Sequence, residues 1–140
     1  MAIIYNGGYK FQLKREYRLQ TDLKPREDIS TEFVSLDVYG NLVIKSGYAW
    51  DGATCAIDTK TNIRGALVHD SLYQLMREMS YALPPEINRE KADRLLQKIC
   101  LEDGMCQFVA WLFYQAVHNF GSKYTDPKDE HLPEYAPDFC

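Results

Sequence analysis

The chain has 140 residues, 46% hydrophobic, 26% charged and 13% aromatic, the composition of one globular domain that needs no disulfide to bury a core. Its 16 basic and 20 acidic residues leave a net charge of −4, which argues against a nucleic-acid binder relying on a basic face. No apolar run approaches the roughly 18 residues of a membrane-spanning helix, and Met1-Ala2-Ile3-Ile4-Tyr5 shows no signal peptide.

The first half has the period of strands. Phe11, Leu13, Tyr17 and Leu19 alternate with polar residues and predict one half-buried strand, whose neighbours Lys10, Lys14, Arg15 and Arg18 form a solvated face. Residues 21–30, with Pro25 and many charges, read as a surface loop. Phe33, Val34, Leu36 and Val38 lead into Tyr39-Gly40-Asn41 and then Leu42-Val43-Ile44, the pattern of a hairpin whose turn uses positive φ. Gly47-Tyr48-Ala49-Trp50-Asp51-Gly52-Ala53-Thr54 then sets two glycines around an aromatic residue and a carboxylate. It suits either a turn with Trp50 in the core or a segment that helps ligate an ion.

The second half has the period of helices. Ala66, Leu67, Leu72, Tyr73, Leu75, Met76 and Met79 predict a helix over 63–80, stopped before Pro84-Pro85. A second helix spans 86–102, burying Ala92, Leu95, Leu96, Ile99 and Cys100, with Gly104 as its cap. A third spans 106–120 and is apolar nearly all round, which predicts the central core helix. Residues 126–140 hold three prolines and five acidic residues without a period, an extended tail after a single domain over 1–125. The expected class is α+β: a small antiparallel sheet followed by three helices, the first two an antiparallel hairpin.

Four cysteines, Cys55, Cys100, Cys106 and Cys140, show no zinc-ligand spacing and read as reduced thiols. The chemistry concentrates at His69-Asp70. His69 and Tyr73 are four apart and share a helix face. Asp93 is as far after Tyr81 as His69 is before it, so in a helix hairpin turning at Tyr81 the two lie level. A histidine backed by a carboxylate is a base held in one tautomer, an arrangement that activates water. The same pair also serves as a buried lock that fixes helix packing. Asp70 remains to bind a cation or cap a backbone group. Ser71 and Thr54 lack the strand-to-helix elbow of a serine nucleophile. His118, near the end of the third helix, suits the helix dipole, and His131 falls in the solvated tail.

Four blocks in order, Gly47-Tyr48-x-x-Asp51-Gly52-Ala53, Val68-His69-Asp70-Ser71-Leu72-Tyr73, Ala92-Asp93 and Tyr114-x-Ala116-Val117-x-x-x-Gly121, resemble a family of small proteins of tailed phages and prophages with no assigned activity. That resemblance implies the host cytoplasm or the virion as location. His-Asp-x-x-Tyr on one helix and Ala-Asp on its antiparallel partner are similar to the active-site helix pair of phospholipase A2, above all the disulfide-free domain of parvovirus capsids. It implies His69 as general base towards a phospholipid ester at a membrane surface, with Asp93 and Tyr73 orienting it. It also implies Asp70, joined by Asp51, as carboxylate ligand of a calcium ion. The paired glycines of the phospholipase calcium loop are missing from Tyr48-Ala49-Trp50-Asp51-Gly52. Metal-dependent phosphohydrolases with a His-Asp dipeptide need a further upstream histidine, and His69 is the first in this chain. The alternative from another class is a non-catalytic phage structural or host-interaction protein, with the cluster as a packing lock and the acidic tail as a strap for a protein partner.

Overall fold

The computed structural model describes residues 5–6 (as backbone), 11–50 and 61–120; Lys10, Asp51, Thr54, Cys55, His131, Cys140 and the tail over 126–140 lie outside them. The order is β1 (Tyr5–Asn6), β2 (Phe11–Leu13), β3 (Tyr17–Gln20), β4 (Ile29–Ser30), β5 (Val34–Leu36), β6 (Asn41–Ile44), β7 (Ala49–Trp50), then α1 (Ile63–Glu78), α2 (Pro85–Glu102) and α3 (Gln107–Phe120). The class is α+β as expected, with antiparallel strands first and three helices after.

The strands form two antiparallel sheets where one was expected: β1-β2-β7 and β3-β6-β5-β4. The single strand read through Phe11 to Leu19 is two, β2 and β3, one in each sheet. A bend at residues 14–15 separates them and residues 14–16 are all exposed, yet Phe11, Leu13 and Tyr17 are buried at odd positions, so the apolar spacing alone hides the break. The loop over 21–30 is also more structured than expected. It ends in β4 and buries Thr21, Leu23, Pro25 and Ile29 against exposed Asp22, Lys24 and Arg26. Thr21 Oγ1 donates to the Gly40 carbonyl and accepts from the Leu23 amide. The hairpin at Tyr39-Gly40-Asn41 forms as read, with Gly40 at φ +88° and Leu36 opposite Leu42.

Apolar side chains from both sheets meet α1 and one face of α2 in the main core, which holds Leu13, Leu36, Leu42, Leu67, Leu72, Leu75 and Ile99. Trp50 is buried there between Phe11 and Tyr48, with ring centroids 5.4 and 6.4 Å away. The central helix is α1, which buries 12 of its 16 residues. The reading of α3 as central is overturned: Phe108 is 66% and Trp111 49% exposed, and α3 packs on α2 in a second, smaller cluster with Leu96, Cys100, Phe113 and Val117. An all-apolar sequence requires partners on every side only when the fold supplies them, and α3 lies at the edge.

Helices α1 and α2 run antiparallel, since Gly65 lies against Leu96 and Cys100 while His69 and Tyr73 lie against Asp93. Residues 79–84 join them at one end, and Pro85 opens α2 at its first position, where a missing N–H costs nothing. Arg64 ties the other end. Its buried guanidinium donates twice to Asp103, once to Glu102 and once to Tyr17 Oη of β3. Burial opposes its charge, but Asp103, Tyr17 and Glu102 outweigh that and hold it above the usual arginine value. At the end of α2, Gly104 takes φ +102°, and the Gly104 and Met105 amides bond the carbonyls of Leu101 and Cys100.

Candidate functional site

The site lies mid-way along the α1/α2 hairpin. Asp93, on the buried face of α2 beside Ala92, is wholly enclosed. Its Oδ1 accepts from two groups of α1: His69 Nε2 at 2.8 Å and Tyr73 Oη at 2.5 Å. These donors are one turn apart, which brings their rings together at a tilt of 36° with centroids 4.1 Å apart. The three residues brought together by spacing and by symmetry about the turn therefore do meet. A carboxylate oxygen only accepts, so a proton sits on His69 Nε2, and the neutral ring then has its lone pair on Nδ1.

Burial, and then the adjacent Asp93 charge, raise the Tyr73 hydroxyl well above its ordinary range, with Arg89 acting the other way. Tyr73 is thus a fixed donor. Cys100 packs in the interior, and burial pushes its thiol up to about 12, with Asp103 adding to the shift. It behaves as the small hydrophobe that its place in the apolar pattern predicted.

The other oxygen of Asp93 involves two residues the sequence reading did not place in the site. Arg89, four residues earlier on the same face of α2, brings Nη1 to 3.7 Å from Oδ2. His118 of α3 brings Nδ1 to 3.8 Å. His118 lies in the last turn of α3, as read, and in addition faces the buried carboxylate and stacks on Tyr114 at 5.4 Å. The four-residue step from Arg89 to Asp93 was the available signal for Arg89. For His118 it was the four-residue step from Tyr114, which could not say which helix the shared face meets.

Asp70 is half-buried and, as the residue after His69, is turned about 100° from it around α1. Asp51, its expected companion at a calcium ion, lies outside the described residues. Among the described residues no group of three or more His, Cys, Asp or Glu side chains is placed to hold a metal. No described helix is long and apolar enough to cross a membrane.

No protein-family model, curated protein or solved structure matches the chain.

Proposed function

We propose that the chain is a phage or prophage hydrolase that cleaves an ester, with a phospholipid as substrate class and His69 as general base. One observation carries the reading: a single oxygen of a fully buried carboxylate takes both the imidazole N–H and the tyrosine O–H. That arrangement fixes the ring and its tautomer and leaves Nδ1 to accept a proton. In the proposed step, water gives a proton to His69 Nδ1 as its oxygen bonds to the ester carbonyl carbon. The same proton then passes to the leaving alkoxide as the ester C–O bond breaks. Asp93 stays a carboxylate throughout and offsets the imidazolium charge, and Tyr73 keeps Asp93 oriented. Asp70 and Asp51 enter as ligands only if calcium is required.

The burial favours a second reading, the packing lock, because the His69 side chain is 8% exposed and Asp93 not at all. The deciding experiment is fatty-acid release from mixed phospholipid vesicles, with calcium and with chelator, for the wild type and His69→Gln. Release that disappears in a folded His69→Gln protein supports the hydrolase. Loss in chelator alone assigns calcium. No release by the wild type, with His69→Gln folded but less stable, replaces the hydrolase by the lock and directs attention to a phage or host protein partner.

A further inference from the structure

Among the described residues, three buried side-chain polar atoms have no hydrogen-bond partner: Trp50 Nε1, Asp93 Oδ2 and His118 Nδ1. The last two face each other at 3.8 Å. Orphaned buried polar atoms are rare, and two that oppose each other across one gap are rarer by chance. If Nδ1 were bare, its lone pair would point at the lone pairs of a buried carboxylate. If it carries the ring proton, donor faces acceptor and both atoms gain a partner by a small approach.

We infer that His118 is a positioning residue of the site, which carries its ring proton on Nδ1 and holds the Oδ2 side of Asp93 while His69 and Tyr73 hold the Oδ1 side. The carboxylate is then fixed at both oxygens and cannot turn about its own axis. Arg89 sets the distance. Its Nη1 donates to the His118 carbonyl at 2.7 Å and to the Val117 carbonyl at 3.5 Å. These carbonyls belong to the last turn of α3, which has no intrahelical donors for them. The guanidinium so docks the end of α3 beside Asp93. The charged and titratable groups around this pair are His69 and Tyr73 from α1, Arg89 from α2, and from α3 Tyr114, which lies under the Arg94 guanidinium at 5.5 Å. The third helix therefore completes a site that the first two only begin.

The effect on turnover rests on the hydrolase reading; the effect on the two imidazoles does not. Nitrogen-15 NMR of the wild type at neutral pH, with each ring assigned, reads both tautomers directly. The expected result is a proton on Nδ1 of His118 and on Nε2 of His69; a bare His118 Nδ1 overturns the inference. In His118→Leu the His69 signals should move towards a mixture of tautomers. In His118→Asn, whose amide can place a donor where Nδ1 stood, they should stay near the wild-type position. A folded His118→Leu protein with an unchanged His69 spectrum also overturns it. Should the leucine variant not fold, the wild-type spectrum and the asparagine variant still decide. If vesicles are hydrolysed, His118→Leu should lower kcat about tenfold or more with KM little changed, and His118→Asn should recover most of it. A wild type inactive on vesicles but with the expected spectra would remove the hydrolase and leave His118 in place.

Discussion

Helices α1 and α3 invert the usual relation between composition and burial. α1 carries Arg64, His69, Asp70, Ser71, Arg77 and Glu78, yet buries 12 of its 16 residues, His69 and Arg64 among them. α3 has no acidic residue and a single ionisable one in its last turn, His118, yet leaves Phe108 and Trp111 to solvent, stacked with centroids 6.2 Å apart. The difference is one of neighbours. α1 has sheets on one side and α2 on the other, so even its polar groups are enclosed and must find partners. α3 has α2. Hydropathy reports what a helix tolerates; the number of faces covered decides what is enclosed.

If that contrast holds, the largest loss comes from unpairing α1. Asp93→Ala would strand His69 and Tyr73 in the interior and should cost about 3 to 5 kcal/mol in urea unfolding. A cost near that of a surface substitution would mean the α1 side is not sealed. Gly65→Ala probes the close approach of α1 and α2: its Cβ would sit 2.9 Å from Leu96 Cδ1 and 3.0 Å from Cys100 Sγ. About 1 to 3 kcal/mol is expected, read from the same transitions.

Tyr73→Phe should cost about 1 kcal/mol at neutral pH, one hydrogen bond to Oδ1. It also carries a pH signature. The folded protein holds the Tyr73 proton beyond the ordinary tyrosine value of about 10. The stabilisation is therefore complete below about pH 10 and lost as the pH climbs above it, while the phenylalanine variant lacks this alkaline decline. Equal alkaline slopes for the two proteins would count against the enclosed hydroxyl. On the other side of the comparison, Phe108→Ser and Trp111→Ser should each change stability by no more than about 0.5 kcal/mol. A large loss there would show that the outer face of α3, at Phe108 and Trp111, is covered as well.

What could be read in the sequence was whatever depended on short spacing. His69, Tyr73 and Asp93 were placed together from a four-residue step and equal distances from one turn, and the structure joins them at 2.8 and 2.5 Å. Gly40 and Gly104 were placed at turns and take positive φ. The errors arose where a pattern continued across a change of partner. Phe11, Leu13 and Tyr17 are all buried at odd positions although the sheet changes between β2 and β3 and Arg15 is exposed, and the charges of 21–30 masked an alternation anchored by Leu23 and Ile29. Arg89 was within reach of spacing, four residues before Asp93 on α2, and was overlooked; His118 was missed because it reaches Oδ2 of Asp93 across the contact of α2 and α3, and no spacing within one helix encodes a contact between two.

Arg64 has a consequence for how the protein breathes. The turn over 79–84 closes one end of the α1/α2 pair, and the Arg64 cluster closes the other while reaching to Tyr17 in the sheet. Neither end can fray by itself, so the amides around His69 and Asp93 should exchange with deuterium only when the whole unit opens. Between them, the turn and a single guanidinium should make the middle of the hairpin slower to exchange than an open-ended helix pair would be.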